Sequence, residues 1–139
     1  MWEGKIPEKD IKKAVSLTLT KEIGEEKEVS LTFVPENMIR ELNLKYRKKD
    51  SSTDVLAFSL TDKFCSTENL LGEIVICPDV ASLNAQERGH SLEDELLLLV
   101  IHGTLHLLGY TDETDSGKKT MVRKEKEILK LLGKRENIV

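Results

Sequence analysis

Of the three histidines in the chain, His102 and His106 stand four residues apart at the end of its most apolar run. On a helix that spacing puts both imidazoles on one face, with Cβ atoms roughly 5 to 6 Å apart, so the pair can grip one ion. Gly109 can take the left-handed conformation that ends a helix, and the chain that folds back there carries Asp112 as a third ligand. Two imidazoles and a carboxylate suit zinc. Structural zinc sites close four protein ligands around the ion, whereas catalytic sites keep a position open for water, so three ligands point to a reactive centre. Cys65, Cys77 and His90 have no spacing that would complete the shell, and His90, between Gly89 and Ser91, reads as part of a helix junction.

Two other readings compete. A histidine on an apolar helix is commonly a hydrogen-bonded core residue, although here two of three stand at ligand spacing before a helix stop and a carboxylate. The spacing of His102, His106, Gly109 and Asp112 is also that of His-Glu-x-x-His-x-x-Gly-x-x-His peptidases. Gly103 stands where those enzymes carry their general-base glutamate, and glycine has no side chain to take a proton.

The elements that must hold these residues can be read along the chain. Pro7 opens a first helix, with Ile11, Ala14, Val15, Leu19 and Ile23 at helical spacing up to Gly24. Val29, Leu31 and Phe33 alternate with Ser30, Thr32 and Val34 until Pro35 stops a strand. A second helix follows, with Met38, Ile39, Leu42 and Tyr46 on one face. Val55 to Leu60 and Leu70 to Cys77 read as strands, and the polar stretch Thr61 to Asn69 is short enough to join antiparallel neighbours. Pro78 and Asp79 open a short helix ending near Gly89. Ser91 caps the next, whose first turn holds Glu93, Asp94 and Glu95 and which runs through the leucines to His106 and ends near Gly109. A last amphipathic helix carries Met121, Val122, Ile128, Leu129 and Leu132, and its charge run from Arg123 to Glu127 reads as a solvated face. The expected fold is α+β: one domain over residues 1–139, with a small mixed sheet of three to four strands, helices packed on it, and the metal ligands on a carboxy-terminal helix.

Composition limits the partners. Hydrophobic residues at 39% supply a core, and 33% charged residues supply a soluble surface. A net charge of -4 argues against indiscriminate coating of nucleic acid, so any RNA contact must be local. No Cys-x-x-Cys pair or disulfide framework is evident. The run Leu96 to Ile101 is far short of the ~20 apolar residues that span a bilayer, and Met-Trp-Glu-Gly-Lys does not read as a signal peptide, so a cytoplasmic address is expected.

The segment from His102 to Tyr110 resembles the signature of the YbeY family of endoribonucleases, in which Gly follows the first His and Leu-His-Leu and Gly-Tyr come after. Leu42-Asn43 with Tyr46-Arg47, Thr53-Asp54-Val55-Leu56-Ala57-Phe58 and Leu71-Gly72-Glu73-Ile74-Val75-Ile76 resemble that family's segments in its order, over roughly the last two-thirds of the chain. The resemblance implies a single-strand-specific, metal-dependent endoribonuclease acting in ribosomal RNA maturation and ribosome quality control. Its implied partners are single-stranded ribosomal RNA and the ribosome or its small-subunit proteins, with neither membrane nor DNA. It also implies a role for Arg47, whose guanidinium can hold two phosphate oxygens and stabilise charge building on them. Arg40, Lys45, Lys48 and Lys49 surround Arg47 as a local basic patch for an RNA backbone. Asn43, Thr53 and Asp54 are expected to shape the intervening loop.

Two departures from the family stand out. Thr111-Asp112 replaces an Asp-His pair, which puts a carboxylate in place of a third histidine ligand, and Met1 to Lys5 leaves little room for an amino-terminal strand. The expected chemistry is hydrolysis by a metal-activated water, with attack by a ribose 2'-hydroxyl as the alternative route. A ribosome-associated binding factor with a merely stabilising metal is the rival from another class.

Overall fold

The computed structural model describes residues 6–59 and 69–139. Helix α1 (Glu8–Ile23) starts at Pro7 and ends at Gly24, and strand β1 (Glu28–Phe33) and helix α2 (Glu36–Arg47) follow. Strands β2 (Val55–Ser59) and β3 (Leu70–Ile76) precede helices α3 (Pro78–Arg88), α4 (Leu92–Leu107) and α5 (Asp115–Leu131) and a single 3-10 turn at Glu136–Ile138. Leu60, Cys65, most of the Thr61–Asn69 connection and Met1 to Lys5 lie outside the described residues. Cys77 lies beyond its strand and caps α3, where Pro78, at the first helical position, has no N–H to leave unpaired.

Among the described residues the sheet has the order β1-β3-β2, with β1 parallel and β2 antiparallel to β3. This is the mixed α+β architecture expected. The two sides of β3 serve different cores. Ile74 and Ile76 join the main core with Leu97, Ile101 and Leu105 of α4 and Leu19 of α1, while Val75 and Cys77 join a smaller one with Leu56 and Ile39 of α2. That division follows the two-residue period of a strand. The β1–β3 register slips between Glu28 and Val29, which pair with Leu70 and Gly72, so Leu71 is the extra residue of a bulge. A bulge re-aims its side chain, and Leu71 lies in the main core out of alternation.

Helix α4 runs through the middle of the molecule against β2, β3, α1, α3 and α5. Residues Leu96 to Ile101 are all buried, the expected state of a helix that is apolar on every side. Its start is fixed as expected, by Ser91 Oγ accepting from Asp94 N–H at 3.1 Å. Two glycines let it approach the sheet. A Cβ on Gly72 would lie 2.5 Å from both the Phe58 carbonyl oxygen and a Leu107 methyl, and a Cβ on Gly103 would lie 3.0 to 3.2 Å from three Ile74 carbons.

Helix α2 departs from the expected face. Ile39 is buried and Leu42 packs beside it, but Met38 and Tyr46 are 46% and 56% exposed, and Asn43 turns inward instead. A short helix lying on one strip of sheet buries a narrower arc than its apolar residues suggest. Asn43 Nδ2 donates to the Ser51 carbonyl at 2.9 Å, tying the loop back, and Tyr46 stands edge-on to Phe58 with ring centroids 5.1 Å apart.

Candidate metal centre

The last turn of α4 presents His102 and His106 on one side, and the Nε2 atoms of the two rings lie 3.0 Å apart. Leu108 caps the helix, and the chain turns at Gly109 with φ 102°. A positive φ of that size costs glycine little and strains any other residue. The turn returns Asp112 across the histidines, with Oδ2 at 3.5 Å from His102 Nε2 and 3.8 Å from His106 Nε2. One donor atom from each of the three residues lies within 4.8 Å of the others.

Each imidazole is held from behind. His102 Nδ1–H donates to Glu125 Oε2 at 2.5 Å, and His106 Nδ1–H donates to the Tyr110 carbonyl at 2.9 Å. With both Nδ1 atoms occupied by acceptors, the two Nε2 lone pairs face each other, and only a proton or a cation between them relieves their repulsion. Tetrahedral bonds of 2.0 to 2.1 Å to nitrogen place donors about 3.3 Å apart, close to the 3.0, 3.5 and 3.8 Å separations here. Two imidazoles, a carboxylate and acceptors behind both rings fit a divalent ion.

The electrostatics follow. Burial acts most strongly on His102 and pushes its pKa down. The hydrogen bond and charge of Glu125, with Asp112 and Asp54, outweigh burial, and His102 titrates above the ordinary histidine value. His106 lies below that value, through burial and then the neighbouring His102 charge.

Glu125 and Tyr110 were missed by the sequence reading. The run from Arg123 to Glu127 is not a uniformly solvated face, because Glu125 is 3% exposed against His102. Lys124 is also taken up, by Glu22 at 3.1 Å, and the Tyr110 hydroxyl donates to the same Glu22 carboxylate at 2.5 Å. The pair holds the carboxylate below its usual range although burial opposes this. The only forewarning of Glu125 is its spacing from Met121 and Ile128, which places it on the buried stripe of α5.

Arg47, the last residue of α2, lines a cleft of about 600 Å³ together with His102, His106 and Asp112. Glu113 and Asp54 share this cleft, and Asp54 Oδ2 accepts from Asn84 Nδ2 at 3.0 Å. Asp115 is instead the first residue of α5. The basic patch is divided. Arg40 Nε donates to Asp50 at 2.8 Å on another groove, and Lys45 lies over the Tyr46 ring. Lys48, in the left-handed conformation at the end of α2, and Lys49 are exposed. Cys77 is a buried free thiol and His90 contacts Glu95 at 2.5 Å, so neither reaches the centre.

A small mixed sheet under a buried helix that ends in paired histidines and a returning carboxylate defines a class of compact α+β proteins built around a candidate metal centre. Comparison with known proteins makes the assignment particular. The family model described as Endoribonuclease YbeY matches residues 2–133, so the chain belongs to the YbeY family. A curated Finegoldia magna protein named Endoribonuclease YbeY is 46% identical over 125 residues, covering 89% of this chain and 82% of that one. A Staphylococcus carnosus protein of the same name is 45% identical over 112 residues, covering 77% and 73%. A solution structure of a Thermotoga maritima protein superposes with a TM-score of 0.62 at 37% identity, covering 94% of this chain and 85% of that one. Among the described residues no helix is long and apolar enough to cross a membrane.

Proposed function

We propose that residues 1–139 act as one metal-dependent hydrolase domain, an endoribonuclease that cleaves single-stranded RNA, with zinc held by His102, His106 and Asp112. The observation that carries this reading is the pair of Nε2 atoms 3.0 Å apart, each ring held through Nδ1, with Asp112 closing the third side. Membership of a family whose curated relatives are named endoribonucleases supports the substrate class. When bound, zinc supplies Lewis acidity, lowering the pKa of a coordinated water and neutralising phosphoryl charge.

The chain's own residues supply the rest. Arg47 shares the cleft, its guanidinium makes no ion pair among the described residues, and its planar fork suits a clamp on two phosphate oxygens. Lys48 and Lys49 extend that grip along the backbone, with Lys45 beside them; Arg40 joins once a phosphate displaces Asp50. Glu125 fixes the His102 ring and keeps Nδ1 protonated, and the Tyr110 carbonyl does the same for His106. Gly103 speaks against a peptidase: a glutamate there would have to start from a Cβ already crowded by Ile74.

Ribosomal RNA as the substrate, maturation and quality control of the ribosome as the setting, small-subunit proteins as partners and a cytoplasmic location complete the proposal. The test is cleavage of a single-stranded RNA before and after chelation, with zinc added back. Cleavage lost on chelation and restored by zinc, in a protein that stays folded throughout, is the expected result. A folded protein that never cleaves leaves the binding factor as the better reading. A 2',3'-cyclic phosphate on the product would identify the ribose hydroxyl as nucleophile.

A further inference from the structure

The Arg47 cleft is not the sole opening onto the candidate ligands. Asp54, Val55, His102 and Asp112 also line a second cavity of about 600 Å³, whose other walls include Arg88, Glu125, Lys118 and Val122. Lys118 and Val122 in turn line a groove of about 620 Å³ along α5, with Lys119, Arg123 and Lys126. The three cavities thus adjoin in series through shared wall residues, from Arg47 past the candidate ligands to the solvent face of α5.

The cations near this path fall into two sets. Arg88 is paired with Glu95, Lys124 with Glu22 and Lys21 with Glu127. Lys118, Lys119, Arg123 and Lys126 make no ion pair or side-chain hydrogen bond within the described residues. Several of the opposing carboxylates are engaged: Glu127 by Lys21, Glu125 by His102 and Asp54 by a hydrogen bond from Asn84. Asp115 in the groove and Glu113 in the Arg47 cleft have no such partner among the described residues, and Asp112 belongs to the candidate ligand set. The four cations span about 12 Å of helix at 1.5 Å per residue. In a chain of net charge -4, such a row beside a candidate phosphodiester-cleaving centre is a local electrostatic track.

We propose that Lys118, Lys119, Arg123 and Lys126 hold the phosphates of the single-stranded RNA that leaves the metal centre through the second cavity, so that the strand crosses the centre from the α2 patch to α5. The inference rests on reading the centre as an RNA-cleaving site. It adds a second, sequence-independent binding segment, which hydrated cations free of carboxylate partners can provide without first breaking an ion pair.

The test uses the whole, metal-loaded protein and fluorescently labelled 2'-O-methyl oligouridylates of about 5 and about 15 nucleotides, lengths that bracket typical single-strand site sizes. Binding is read by anisotropy across a salt series. The parent should bind the longer strand more tightly. Lys119→Gln with Arg123→Gln should reduce that length preference at least fivefold and make the log affinity–log salt slope shallower by about 1.4, or about 0.7 per lost phosphate contact. Lys9→Gln with Lys13→Gln, which removes the same charge from α1, should change neither. The proposal is overturned if the parent shows no length preference, if the α5 variant keeps the parent's preference and slope, or if the α1 control loses as much. Metal content and RNA cleavage by the parent test the underlying reading separately: normal cleavage with an inert α5 face sinks the track alone.

Discussion

Glu125→Gln isolates what a buried carboxylate does for the candidate metal ligand His102. Glutamine keeps the size of the side chain and an oxygen that can accept from His102 Nδ1–H, but removes the charge from a bond now 2.5 Å long in a 3% exposed position. Charge-assisted hydrogen bonds contribute about 1.5 to 3 kcal/mol and neutral ones about 0.5 to 1.5, so the swap costs about 1 to 1.5 kcal/mol. That is about tenfold in zinc affinity, the lower end of the 10- to 100-fold typical of residues that orient metal-bound histidines. Competition against a chromogenic chelator measures it directly. The pH dependence has a fixed sign. Glu125 raises the His102 pKa, so protons compete with zinc for the parent more than for the variant, and the affinity deficit should shrink as pH falls. In the metal-free protein, a histidine pKa raised by folding contributes stability that is full below about 6.5 and is lost as pH rises through the raised value. Glu125→Gln should therefore lower metal-free stability most below about pH 6.5, with the deficit fading as pH rises through the raised His102 value. A folded variant that binds zinc within twofold of the parent at pH 8 would refute the argument.

Arg47→Ala should keep the fold and the metal but lower RNA cleavage at least tenfold, or about 1.4 kcal/mol of transition-state stabilisation, in a single-turnover assay. Arg47→Lys should recover only part of it, because an ammonium lacks the planar fork; unchanged cleavage by Arg47→Ala would remove the residue from the mechanism. Asp112→His should retain zinc and shift the acid limb of the pH–rate profile to lower pH, since three neutral ligands leave the ion's charge less compensated. Asp112→Ala should lose zinc affinity, and tight binding in that variant would point to Glu113 or Asp54, the other carboxylates lining the cleft. Gly72→Ala should be strongly destabilising, because its Cβ meets the Phe58 carbonyl at 2.5 Å; a thermal midpoint equal to the parent's would show that β2 can move aside.

The proximity of the candidate ligands was legible because its information is local. His102 and His106 are four apart, Gly109 marks the turn and Asp112 follows within one loop, so helix geometry and one turn bring them near one another. Glu125 was not legible, because it reaches His102 across 23 positions and sits among charged neighbours that conceal its inward direction. Only the packing of α5 on α4 aims it at the ring. Tyr110 acts on His106 through its backbone carbonyl, which side-chain identity does not reveal. The strands followed from apolar runs between turn residues, but their order did not: β3, last in the chain, takes the centre and pairs with both β1 and β2. Met38 and Tyr46 look like core on a helical wheel and are exposed, because only a narrow strip of α2 meets the sheet.

Metal content of the purified protein, compared with His102→Ala and His106→Ala prepared alike, is the most direct test of the central claim. After equilibration with zinc and removal of the excess, the parent should carry about one ion per chain, and each variant should carry almost none while keeping its helical circular dichroism, because two remaining ligands hold zinc poorly against water. A full complement of zinc in either folded variant, or none in the parent, would contradict the account.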